Sequence, residues 1–197
     1  MMHLETSIPE DLDRLVADLP DSLLTRVIKD MRDSTSWLEA FARAYAALTG
    51  FTHDEALVAM QVDDESAENI GRLAIIEMTK YLIAIGTNPG SGISPSRVVD
   101  CAWHAFMLDS VPYARWCDQH FSRYLHHSPF DPREPEQFQT SSSVIEVFGN
   151  VGVEMNPVLW DFDEAVKCPE TCGDTCGGLK PARQQAEPFT RGMLVDA

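Results

Sequence analysis

The chain has 197 residues, of which 44% are apolar and 23% charged, and a formal net charge of -16. This length and apolar share suffice for one sizeable core with a small appendage. The acidic balance argues against general affinity for nucleic acid or anionic membrane, both of which need a basic surface, and fits a cytoplasmic protein or one that meets a basic protein partner.

The pattern is helical from Pro9 to Gly50. PEDLDRLVADL puts Leu12, Leu15, Val16 and Leu19 at spacings of three and four, a single apolar stripe. DSLLTRVIKDMRD predicts a second helix, with Asp21 or Ser22 as cap. STSWLEAFARAYAALTG runs from a Ser/Thr cap to a glycine stop at Gly50, with Trp37, Phe41, Tyr45 and Leu48 along one face. FTHDEALVAMQ reads as a short helix, and the acidic VDDESAEN as a loop or an exposed first turn. ESAENIGRLAIIEMTKYLIAIG is a long helix predicted to end at Gly86, and TNPGSG is a loop. The apolar run in that helix is broken by Glu77 and Lys80 and is too short to span a bilayer. In ISPSRVVDCAWHAFMLDS, Ser94 is the expected cap and Pro95 the first helical residue. Ser110 and Pro112 then open VPYARWCDQHFSRYLHH, so the two segments form a tight helical hairpin.

Beyond the hairpin, three prolines make HSPFDPREPEQFQ irregular, and SSSVIEVFGN reads as a short serine-capped helix. NPVLWDFDEAVK brings an anchoring Trp160, and only Val151–Val158 hints at a strand. The expectation is an all-α fold, an irregular bundle of about six to eight helices over residues 8–165. A Cys-containing, irregular tail over residues 166–197 follows. The opening residues lack the basic and apolar regions of a secretory signal. The five cysteines do not form an extracellular disulfide pattern, which points to a reducing, cytoplasmic setting.

The hairpin carries four of the six histidines and two of the five cysteines. Residues three or four apart share a helix face, so Asp100 or Cys101 lies beside His104, and Cys117 lies beside His120. The second helix is expected to end in His126 and His127, within reach of His104 across the bend. Imidazole, carboxylate and thiolate on facing helices suit zinc or iron, with Asp100, His104, Cys117, His126 and His127 as candidate ligands or their supports. Core packing accounts for the same residues as a satisfied His–Asp pair, small buried cysteines and a helix-end charge. No HExxH or paired ExxH signature is present.

Pro95-Ser96, Val99-Asp100, Trp103-His104, Tyr113, Cys117 and His126-His127, with Pro129 beyond, form a set of unusual residues at fixed offsets. In this the stretch resembles the glycine-rich-domain-containing protein-like family, as a bacterial-type member. FGNVGVEMNPVLW extends the similarity more loosely. A glycine usual in that family is Ser122 here, and the second His of a WHxH pattern is Phe106. The resemblance implies an all-helical fold and a focus of interest rather than an activity; Trp103 and Tyr113 are expected to support the region structurally.

CPETCGDTCGG sets Cys168, Cys172 and Cys176 four residues apart. Three thiols so close together can wrap a zinc or iron–sulfur centre, although the spacing is not that of a CxxC knuckle. Phosphate loops and nucleophile elbows are absent, and the pairs Asp54-Glu55 and Asp63-Asp64-Glu65 read as surface charge. Three functions fit the sequence: a metal-binding helical module, a protein-interaction adaptor with structural histidines, and a metal-assisted enzyme acting on a peptide or small molecule with His104 as ligand or base.

Overall fold

A computed structural model describes residues 8–127 and 141–160. It is all-α: α1 (Ile8–Ala17), α2 (Leu23–Asp33), α3 (Thr35–Thr49), α4 (His53–Val62), α5 (Asp64–Thr87), α6 (Arg97–Met107), α7 (Ser110–Phe121), α8 (Ser141–Asn150) and a closing 3-10 turn, Pro157–Leu159. The segment Val151–Val158, weakly predicted as a strand, is instead a turn at Val151-Gly152 leading through irregular backbone into the 3-10 turn, and no strand occurs among the described residues. The expected tail, with Cys168, Cys172 and Cys176, lies outside them.

Helix α5 is the axis of the bundle. It packs against α1, α2, α4, α6 and α8, and its inner residues, from Ala67 and Ile70 through Met78, Tyr81 and Leu82, are buried. Burial on several faces explains its nearly continuous apolar sequence. Among the described residues no helix is long and apolar enough to cross a membrane.

Local chemistry sets the helix ends. Ser34 accepts from Trp37 N to start α3, and Gly50 ends it at φ 79, where its N–H donates to Ala46 O. Along α3, Phe41 is buried and Trp37 and Tyr45 pack partly against the core, but Leu48 is exposed. Thr52 and Glu55 form a reciprocal capping box on α4. Asp63 caps α5, so the acidic stretch is a first helical turn. Ser22 stands at the start of α2 without a side-chain cap bond.

Three boundaries differ from the sequence expectation. Ser96, not Ser94, caps α6, accepting from Val99 N at 3.2 Å. Ser96 Oγ also donates to Leu159 O at 2.6 Å, a bond that joins the start of α6 to the closing turn. Helix α5 runs past Gly86 to Thr87. Gly86 is a seat rather than a stop, because a Cβ there would lie 2.5 Å from the Phe121 ring. Arg123 reinforces this contact by donating to Ile85 O and Gly86 O at 3.0 and 2.8 Å, a cation at the negative end of the helix. Finally, α7 stops at Phe121, where Ser122 takes the left-handed conformation at φ 53, so His126 and His127 lie beyond the helix.

These contacts predict opposite effects at neighbouring positions. Gly86→Ala forces the Phe121 ring to move and lowers stability by about 1–3 kcal/mol. Ser122→Gly relieves the left-handed strain and raises stability by up to about 1 kcal/mol. Thermal and urea unfolding of the two variants measure both changes.

Candidate functional site

The first turn of α6 carries Asp100, and the chain leaving α7 returns to meet it. His127 Nε2 lies 2.7 Å from Asp100 Oδ1, and both side chains are 3% exposed. A carboxylate only accepts, so Nε2 holds the ring proton and donates it to Asp100. In the neutral ring the lone pair is then on Nδ1. That atom is buried and has no hydrogen-bond partner among the described residues.

Aromatic groups hold this pair in place. The Trp103 ring lies 4.3 Å from the His127 ring, and Trp103 Nε1 donates to Tyr113 OH at 2.9 Å. Tyr113 OH in turn donates to Leu125 O at 2.6 Å, fixing the returning strand of chain two residues before His127. Burial pushes the Tyr113 hydroxyl far above its ordinary pKa, so it serves as a neutral donor and acceptor. Through these bonds Trp103 and Tyr113 join α6, α7 and residue 125.

The other candidates go elsewhere. His104 turns toward α3, its ring 5.3 Å from that of Trp37. Burial raises the Asp30 pKa, and His104 opposes the shift. Asp30 Oδ2, Trp37 Nε1 and His104 Nδ1 are all buried without hydrogen-bond partners. His126 is exposed, its ring 4.7 Å from Tyr124. Cys117 is buried, and desolvation raises its thiol pKa against the Leu125 backbone and Tyr113, which keeps it protonated. Cys101 is buried with its thiol 3.9 Å from Val27 O. Thus the fold joins Asp100 to His127 and sends His104, His126 and Cys117 to separate neighbours. Among the described residues no three His, Cys, Asp or Glu side chains form a metal-binding group.

His120 packs on Trp116 and sits 3.1 Å from Asp18 Oδ2, without the alignment of a hydrogen bond. Desolvation lowers its pKa below the usual 6.5; Asp18 opposes this and Arg14 adds to it.

A second buried carboxylate was absent from the candidate residues. Glu77, 2% exposed, pairs with Lys80 Nζ at 2.5 Å and accepts from Asn156 N at 3.1 Å and Trp160 Nε1 at 3.0 Å. It clamps the closing segment onto α5. The available signal was an acid within an apolar helix, followed three residues later by a lysine.

A family model described as UCP032817-like, an uncharacterised family, matches residues 58–146, less than half of the chain. The match takes in α5, α6, α7 and His127. This finding overturns the resemblance to the glycine-rich-domain-containing protein-like family: the offsets from Pro95 to Pro129 fall within the UCP032817-like match, and nothing links them to the other family. No curated protein and no solved structure matches the chain.

Two predictions follow from the site's geometry. Breaking a buried carboxylate–imidazole hydrogen bond from either side leaves the other group stranded. His127→Ala strands a buried carboxylate and should cost about 3–5 kcal/mol, Asp100→Ala strands a neutral N–H and should cost about 1–3 kcal/mol, and the double variant should lose clearly less than their sum in a double-mutant cycle. For His120, a depressed folded pKa means that the unfolded state binds the extra proton. Its contribution is present above pH 6.5 and is lost as pH falls through the lower folded value. Urea titrations at pH 7 and pH 5 should therefore show a shallower acid loss for His120→Gln than for wild type.

Proposed function

We propose that this protein is a metal-binding helical module in which His127 is a ligand and Asp100 is the carboxylate that orients it. The observation carrying the reading is the buried, unpartnered Nδ1 of a ring whose other nitrogen donates to a buried acid. A carboxylate that holds the N–H of a ligating histidine fixes the tautomer and raises the basicity of the other nitrogen. Imidazole suits zinc or iron, and the remaining ligands come from outside the described residues. An acid–base enzyme is less favoured, because no hydroxyl or thiol among the described residues hydrogen-bonds to Nδ1.

A second reading, a protein-interaction adaptor, draws on two features. The net charge is -16, and Leu108 and Val111 are about two-thirds exposed at the α6–α7 bend. A basic partner with an apolar centre would suit that surface.

Protein purified without a histidine tag should bind zinc or ferrous iron at one ion per chain. Asp100→Asn should weaken that affinity by about 10–100-fold. Elemental analysis and competition with a chelating dye measure both quantities. An absence of stoichiometric binding removes the metal reading and favours the adaptor.

A further inference from the structure

Independently of the His127 reading, we propose that the outer face of α4 is a docking surface for a basic amphipathic helix of a partner protein. Helix α4 is apolar on two sides. Its inner side packs against α3 and α5, with Ala56 and Met60 buried and Leu57 and Ala59 half-buried. On the opposite side Val58 and Val62, 57% and 74% exposed, stand four residues apart and so one above the other. Asp54, also exposed, extends the same row by one turn toward the start of the helix.

The valines are the feature that the fold leaves unexplained. A β-branched residue loses side-chain freedom in a helix, and an exposed one gains no packing in return. The acids around them have local roles: Asp54 and Glu55 lie in the first turn of α4, Asp63 caps α5, and Glu65 lies in the first turn of α5. Those roles leave the charge in place. Of Asp54, Glu55, Asp63, Asp64 and Glu65, only Asp64 is ion-paired among the described residues, with Arg32 at 2.9 Å. The result is a short apolar ridge with carboxylates at both ends, on a helix whose start is fixed by the Thr52–Glu55 capping box.

Charge decides the occupant. A second copy of this chain carries the same face and the same net charge of -16, so a symmetric pairing sets these carboxylates against one another. A nucleic acid or an anionic membrane is repelled in the same way. A basic polypeptide is attracted, and an apolar stripe on it matches the valines. The valine row is a ridge of the kind that seats in the groove of a second helix. The occupant is therefore a helix with apolar residues at spacings of three and four and Lys or Arg beside them. This surface lies on a different helix from the α6–α7 bend, where Leu108 and Val111 are exposed.

The probe is a synthetic helical peptide with leucines in such a stripe and lysines on its flanks, titrated into the full, methyl-labelled chain. One peptide should bind per chain, moving the methyl resonances of Val58 and Val62 and leaving those of Leu108 and Val111 in place. Raising NaCl from about 50 to about 300 mM should weaken binding by about 5-fold or more. An isomer with the same lysines and its leucines scattered around the helix should bind at least about 10-fold more weakly. Val58→Ser combined with Val62→Ser should weaken binding of the striped peptide by at least about 10-fold. Thermal unfolding should not change, because both side chains face solvent. Any of four results overturns the proposal: no binding by the striped peptide, equal binding by the isomer, methyl shifts confined to the α6–α7 bend, or a wild-type dimer in sedimentation that the two serines dissociate. The last would make a second copy the occupant. None of these results bears on metal binding at His127.

Discussion

The bond from His127 Nε2 to Asp100 Oδ1 is the constraint on which the site depends. It draws the chain after α7 back onto the first turn of α6 and buries an acid and an imidazole together. Burying a carboxylate is costly, and three features offset the cost here. The imidazole donates to it, Asp100 lies near the positive end of the α6 dipole, and Trp103 covers the ring. Tyr113 then fixes the approach of the returning chain through Leu125 O. With Ser122 turning the backbone at positive φ, residues 122–127 are led to Asp100 by a series of short polar contacts rather than by a helix.

Glu77 does for the closing segment what Asp100 does for the segment after α7. Each is an almost fully buried acid, and each receives donors from a distant part of the chain. Replacing a whole buried pair, acid and partner together, with apolar residues of similar volume often costs a fold little, whereas removing the acid alone strands its donors, so the value of each pair lies in orientation more than in stability. Asp100 orients an imidazole, whereas Glu77 orients the indole of Trp160 and the backbone of Asn156. Tyr81 and Trp103 lie between them, ring against ring. The two clamps therefore belong to one packed unit formed by α5, α6 and the irregular segments.

Much of this fold is legible in the residues. Ser34 and Gly50 bracket α3 where local chemistry predicts, and the long apolar pattern of α5 reports its central place. Misreadings arise where one residue type serves two ends. A glycine can stop a helix or admit a neighbour, and only the position of Phe121 shows that Gly86 does the second. A serine before a helix can cap it from more than one place, and the bond from Ser96 to Leu159, 63 positions away in sequence, favours that residue over Ser94. The partner of Asp100 was hidden for the same reason. Helical spacing puts His104 on its face, but a side chain arriving from a different segment meets the carboxylate, while His104 settles against Trp37. Local rules mark the reactive residues; long-range packing chooses which of them meet.

The spare nitrogen of His127 separates a packing device from a binding site. A residue needed only to satisfy the inward oxygen of Asp100 requires one donor, which an asparagine or glutamine amide supplies. Imidazole brings a second nitrogen, and leaving it buried without a partner costs about 1–3 kcal/mol. Water would remove that cost if Nδ1 were exposed, but it is buried. Under the proposed reading, a cation bound at Nδ1 would turn the same atom from a cost into a gain and strengthen the bond to Asp100, because metal binding makes the Nε2 proton more acidic. The carboxylate, in turn, makes the imidazole a better donor to the metal. The two interactions are cooperative, and this makes the orientation of one ring by one buried acid the physical basis of the proposed activity.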